Sequence, residues 1–451
     1  MKHTPPKRLR RLPPKGATPA ARQSRFRGVR WIGLRHAAAA ALGLLLCALP
    51  VSAQALDLLE LHERARAQAP SLRQSQARVG EQQAAWRQAR AQLLPQADAA
   101  WGPQRARGEA AQRSSRVTLS QSLLDLPAWR STEAQARQLA AEEQGLVASE
   151  QDLRLRSATV YLQALAAETL AQIQSELEQA YGQEAERMGV RLREGLSAAV
   201  DAEQSRAFHR LAQINAQGAQ ARLGQARASL LAHAGLREWS ALQPLPARQL
   251  PPALEADTEA GDAPSLRALE LQRQAREQAL SAERAAPLPT LSLRAETSRM
   301  DGGGGTGRWD QSARLELSLP LLDGGARSAR RDAAAARLQA AEAALEAEQR
   351  EQRRVLESQR LRLQAARAQA EAATAGEQSA AAALKAMRHG QELGSRSTTD
   401  VLLAIQNLGQ LRAQGLQAQL EAWLAWLEAL HAAGRLDDAA LTQLNQALKG
   451  A

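Results

Sequence analysis

Cysteine is all but missing from this chain: its 451 residues hold one, Cys47. Aromatic residues make up only 3%, too few to fill a large globular core. Residues 1–36 contain no acid, and beyond Ala37–Leu49 no long apolar run occurs. The histidines (His3, His36, His62, His209, His233, His389, His431) show no metal-ligand spacing. No Ser-His-Asp set and no CxxC is found, and the glycine run Gly302–Gly305 lacks the Lys-Ser/Thr and following helix of a phosphate loop. Catalytic, metal and cofactor chemistry therefore have no residues to rest on, and neither enzyme activity nor a cofactor is expected.

The net charge of +11 is misleading, because residues 1–36 alone carry eleven Lys and Arg. Without them 47 basic residues face 47 acidic ones. Behind this basic stretch lie the apolar run Ala37–Leu49 and the small-residue pattern Val51-Ser52-Ala53. Together they read as a secretory signal peptide over residues 1–53, too short to span a bilayer comfortably. Cleavage is expected after Ala53, with Ala55 the alternative; a start at Val29 would shorten the long basic region. Cys47 leaves with the signal, and Leu46 just ahead of it fits a lipidation site poorly. No basic stripe remains on the mature chain, so no nucleic-acid partner is expected.

What is present is a repeat. Ala69-Pro70-Ser71-Leu72-Arg73 recurs as Ala263-Pro264-Ser265-Leu266-Arg267. Leu94-Pro95 returns as Leu288-Pro289, and Leu123-Leu124-Asp125 as Leu321-Leu322-Asp323. Met188, Gly195, Asp201 and Gly235 match Met387, Gly394, Asp400 and Gly434. The offset drifts only from 194 to 199, so one unit is duplicated. The expected layout is a repeat over 54–235, a proline-rich, acidic, solvent-exposed connector over 236–263, a second repeat over 264–435, and a tail over 436–451.

Within each repeat the period changes. A short helix over Leu56–Ala69 and a second over Ser71–Leu94 are each stopped by proline. Ala97, Ala99 and Trp101 then alternate with Gln96, Asp98 and Ala100, and after a polar stretch Val117, Leu119 and Leu123 alternate with Thr118, Ser120 and Ser122. The second repeat alternates Leu291, Leu293 and Ala295, then Ala313, Leu315, Leu317 and Leu319, with polar or charged residues. Period two marks two-faced strands. The alternation alone fits a half-buried soluble hairpin as well as a strand crossing an outer membrane, where about ten residues suffice.

Helix lengths tip the balance. Nothing breaks the chain from Pro127 to about Glu194, a run worth roughly 100 Å of helix. Leu139, Leu146, Leu153 and Val160 fall seven apart, a coiled-coil seam. Placed end to end, Ser71–Leu94 and Ser197–Ala234 would reach about 93 Å, nearly matching that helix. The second repeat has the same plan, with Ala326–Gln391 and Ser397–Ala433. Each half is thus a rod with a hairpin near one end. Four strands cannot close a barrel, but three copies would supply twelve.

These features resemble the TolC-like outer membrane efflux proteins of Gram-negative bacteria. The resemblance rests on the duplicated plan, the Leu-Pro step before each first strand, and Gly394-Ser395-Arg396-Ser397-Thr398-Thr399-Asp400-Val401-Leu402. That stretch is similar to the family's Gly-x-(Arg/x)-(Ser/Thr)-x-x-Asp-Val-Leu signature; Gly195–Asp201 is a weaker copy. The resemblance implies a mainly α fold, with an internally duplicated coiled-coil barrel. Two β-hairpins would contribute four strands to a trimeric 12-stranded barrel. It implies a homotrimer in the outer membrane, reaching into the periplasm and serving as the passive exit duct of a tripartite efflux pump or type I secretion system. An inner-membrane transporter and a periplasmic adaptor would be the partners. The competing expectation is a soluble periplasmic scaffold or adaptor, which leaves both hairpins unexplained.

The resemblance places the signature near the periplasmic tip, where helices converge. Asp400 would form a threefold carboxylate ring favouring cations, or act as a first-turn acid on its helix with Ser397 or Thr398 as cap. Arg396 would tie neighbouring helices at the closed tip, or lie solvated on the surface. Leu403 stands where some relatives have a second acid, and Gln391 where some have tyrosine. Gly195 and Gly394 would relieve the backbone at helix–helix turns. Trp101, Trp129 and Trp309 fall near strand ends and are candidates for an interfacial belt, though Trp129 could pack at the helix–barrel junction.

Overall fold

A computed structural model describes residues 56–104, 112–237, 242, 249–254, 263–301 and 307–449. Contacts divide the chain into Met1–Ala53 and Gln54–Ala451, and every described element belongs to the second unit. The segment expected to be a signal peptide, Cys47 and both cleavage candidates lie outside the described residues.

Two short helices come first, α1 (Leu58–Gln68) and α2 (Pro70–Ala91), with Pro70 at the first position of α2, where its missing N–H costs nothing. Strands β1 (Gln96–Gln104) and β2 (Gln112–Leu124) follow. Next is α3 (Leu126–Arg193), 68 residues long, begun by Asp125, whose side chain accepts from the Ala128 N–H at 2.9 Å. Helix α4 (Ala199–Ala234) closes the first repeat. The second repeat runs α5 (Pro264–Ala285), β3 (Thr290–Asp301), β4 (Trp309–Ser318), α6 (Ala326–Glu392) and α7 (Thr398–Ala432). A last helix, α8 (Asp438–Lys449), occupies the segment expected to be a tail.

The four strands form one antiparallel sheet in the order β1-β2-β3-β4, so the two hairpins join through β2 and β3. Strands β1 and β2 reach further into the expected polar stretch than alternation indicated, pairing as far as Gln104 with Gln112. Helix packing follows the strand order: α3 lies against α2 and α5, and α6 against α5. Helix α4 returns along α3 and α7 along α6, so each long helix lies beside the shorter helices of its own repeat, α2 and α4 for α3, α5 and α7 for α6. No helix of the described residues is long and apolar enough to cross a membrane.

The principal core sits part-way along α3. Leu58 and Leu61 of α1, Tyr161, Leu162 and Leu165 of α3, Leu230 of α4, and Trp423, Trp426 and Leu427 of α7 meet there. Leu441 and Leu444 of α8 join them, and Trp423 and Trp426 pack edge to face at 5.7 Å. Leu153 is the one buried member of the predicted Leu139–Val160 seam. Helix α8 is pinned to the start of α1, Asn445 donating to Asp57 at 2.9 Å and Lys449 pairing with it at 2.8 Å. The connector is not uniformly solvent-exposed. Leu242 is buried and bridges to Leu56, while the Gln249 carbonyl accepts from Gln419 (2.9 Å) and Trp423 (3.2 Å). Its acidic stretch lies outside the described residues.

Candidate functional site at the helix turns and the sheet

Helices α3 and α6 both run away from the sheet for about 100 Å, so the α3–α4 and α6–α7 turns meet at the far end. Gly195 (φ 71°) and Gly394 (φ 75°) end these helices in the left-handed region. In both, the next residue's N–H reaches back to close the turn: Leu196 to the Arg191 carbonyl and Ser395 to that of Gly390, each at 2.8 Å. A β-carbon is strained at such a φ, which is why glycine stands at both positions.

The signature residues that follow are organised around Ser397. Its hydroxyl accepts from the Asp400 N–H at 3.1 Å, and the Asp400 carboxylate accepts from the Ser397 N–H at 3.0 Å. This reciprocal capping box satisfies two helix-end donors. Ser397, and not Thr398, is the cap. The bonds from Ser397, backbone first, and then the nearby Arg396 charge hold the Asp400 carboxyl below its ordinary range. Arg396 is exposed, and its stem lies over Gly390, where an added β-carbon would stand 2.7 Å from Arg396 Cγ.

Sequence reasoning missed the centre of this end. Glu184 of α3 is fully buried; Gln391 of α6 donates to it at 3.0 Å, and Arg187 pairs with its other oxygen. The Thr398 hydroxyl is 3.4 Å from the Gln391 amide and 3.3 Å from Met188 Sδ. Beside them the Tyr181 hydroxyl donates to the Leu402 carbonyl at 3.3 Å, and burial pushes it up to about 12. The signal was available: Tyr181, Glu184 and Met188 lie three and seven residues apart, one inward face of a helix. Thr399 adds a bond to Gln204 at 3.0 Å.

At the other end, strand register sorts side chains by face. Rows running Ala97–Leu119–Ala295–Ala313 and Ala99–Val117–Thr297–Gln311 alternate with Asp98–Thr118–Glu296–Ser312 and Ala100–Arg116–Ser298–Asp310. One face is largely apolar and exposed, Leu315 at 66% and Leu317 at 68%. The other is charged and carries an Arg116–Glu296 ion pair at 3.0 Å. Trp101, Ser115, Arg299 and Trp309 form one row on the apolar face near the loops. The Arg299 guanidinium lies 5.8 Å from the Trp309 ring centre. Trp129 stands at the start of α3, and the three tryptophans are 74%, 60% and 53% exposed in chain order.

A sequence model of the outer membrane efflux protein family matches this chain twice, over residues 61–236 and 257–435. The chain belongs to that family. Outer membrane protein TolC of Escherichia coli is 28% identical over 443 residues, spanning 90% of this chain and 88% of the relative. The CmeC outer membrane channel of Campylobacter jejuni superposes with a TM-score of 0.75 at 15% identity, covering 87% of this chain and 89% of its own. VceC, an outer membrane protein of Vibrio cholerae, gives 0.74 at 19% identity over 84% and 96%. At those identities the two structures establish the fold: a long helical barrel continued by strands of a β-barrel. As an outer membrane efflux protein, the chain is an outer-membrane exit duct extending into the periplasm, from a channel family and not an enzyme family. The soluble scaffold reading is thereby overturned.

Proposed function

We propose that three copies of this efflux protein close edge to edge, β4 of one protomer on β1 of the next, into a twelve-stranded barrel continued by one helical tunnel. The observation that carries this is the pair of open edges. Among the described residues β1 and β4 each have one strand neighbour, and the sheet between them has one apolar and one charged face. In the outer membrane a strand edge left unpaired would strand its backbone groups in lipid, and three four-stranded sheets remove every edge. Residues 1–53 direct export, the repeats 54–235 and 264–435 build the duct, and 236–263 connects them.

In this reading the duct conducts passively and performs no catalysis. An inner-membrane transporter and a periplasmic adaptor deliver substrate and energy, for efflux or for type I secretion. Trp101 and Trp309 mark the outer lipid boundary and Trp129 the periplasmic one. At the closed end, symmetry repeats Asp400 three times into a carboxylate ring favouring cations, and Arg396 reaches an acceptor on the adjacent protomer. The test is the processed protein in detergent and then in planar bilayers. A three-chain particle that conducts supports the reading, and a detergent-free single chain without conductance overturns it. Asp400→Ala must weaken cation preference; an unchanged preference removes the ring while leaving the duct.

A further inference from the structure

Arg294 of β3 and Arg314 of β4 stand directly opposite each other on the charged face of the sheet. Their row continues through Ser120 to Gln96, so it carries two cations and no acid. Both side chains are exposed, and among the described residues neither guanidinium has an ion-pair partner. Like charges placed directly across a strand pair are destabilising. The neighbouring rows carry acids, Asp98 and Glu296 towards the loops and Glu316 towards the helices. Glu296 is taken up by Arg116 at 3.0 Å.

We propose that Arg294 and Arg314 form an anion-binding girdle inside the barrel, for solutes bearing carboxylate, phosphate or sulfonate groups. This rests on the trimeric barrel proposed above. There the apolar face meets lipid and the charged face lines the lumen, and threefold symmetry holds six guanidinium groups in two rings of three, offset by about 3 Å through the strand tilt. Twelve strands about 4.8 Å apart and tilted near 40° enclose a radius on the order of 12 Å. Arginine side chains reach well into that space. The screening length is about 10 Å at 0.1 M salt, so the field of the rings spans the passage. Low-dielectric walls concentrate it further. Guanidinium forks bind such oxyanions in bidentate fashion, which a row of lysines would not do. The flanking acid rows confine the attraction to one level, making a station within the passage and not a uniformly anion-selective pore.

The test uses the full processed trimer in planar bilayers, with pyrophosphate as probe. In 0.1 M KCl, pyrophosphate added on the barrel side lowers the conductance of the unaltered channel. The double variant R294Q/R314Q needs at least tenfold more for the same effect, and R294K/R314K falls between. In 1 M KCl, where screening shortens to about 3 Å, the block of the unaltered channel is lost, a result that needs no variant. Pyrophosphate without effect on the unaltered channel, or equally effective on R294Q/R314Q, overturns the girdle, as does a block removed by R396Q instead. Should the double variant not insert, R314Q alone must shift the block. Failure to trimerise or conduct at all would strike the barrel itself, which is a separate result.

Discussion

Gln391 donates to Glu184 across 3.0 Å, joining the far ends of the two longest helices through a carboxylate that solvent does not reach. Leaving such an acceptor short of a donor costs about 1–3 kcal/mol. Gln391→Ala is therefore expected to loosen this end of the molecule without dissolving the core part-way along α3. Hydrogen exchange should rise in residues 184–191 and 391–398 and stay level near Tyr161. Unchanged exchange at both turns would show that the bond holds nothing.

Removal of the Ser397 hydroxyl should cost about 1 kcal/mol through the lost cap. The Asp400 carboxyl is held below its ordinary range, so its bonds to Ser397 stabilise the turn above that range and weaken as pH falls through the lowered value. Fraying of α7's first turn on acidification, followed by exchange at residues 398–402, is expected in the unaltered chain. Asp400→Asn should fray already at neutral pH and lose the pH dependence.

A second acid-sensitive point lies in the principal core. The Ser157 hydroxyl donates to the Leu153 carbonyl at 2.8 Å and so accepts from both His62 Nδ1 (3.2 Å) and His233 Nε2 (2.9 Å). Burial, then Arg154, lowers the His62 value from 6.5; Arg66 and His233 add to this and Asp438 opposes it. Burial, then Arg156, lowers that of His233. Because both are depressed, the unfolded chain binds protons first. Stability is whole above 6.5 and declines as pH drops below it toward the folded values. Melting of the detergent-solubilised protein should come at lower temperature at pH 5 than at pH 7.5. His62→Gln with His233→Gln should flatten that difference, and an equal pH effect in the double variant would discount the pair.

The two faces of the sheet should respond oppositely to charge. Leu315→Arg places a cation on the apolar face and is expected to cost about 2–4 kcal/mol of insertion stability. Ser312→Arg, on the charged face, should be tolerated. Comparing the two in a lipid-folding titration decides the matter; equal damage would mean that the faces do not separate lipid from water.

Much of the architecture could be read from spacing. The duplication, the proline stops and the change from period two to long uninterrupted helix placed most element boundaries within a few residues of those observed, because these signals act along the chain. Less of the far end was legible. Glu184, Gln391 and Thr398 have Ala383, Leu192 and Ala199 at the matching positions of the other repeat, so the internal symmetry that revealed the fold concealed this cluster. Asp400 and Ser397 were both marked in advance, yet their reciprocal bonding depends on where α7 begins.

Local sequence alone determined the rods, the hairpins and their order, since proline, glycine and alternation bias the backbone where they stand. Tertiary structure decided which strands pair, that residues 438–449 fold back as α8 onto Asp57, and that Arg294 faces Arg314. Those outcomes depend on register and on contacts between residues far apart in the chain, and a slip of one residue would send every side chain of a strand to the opposite face.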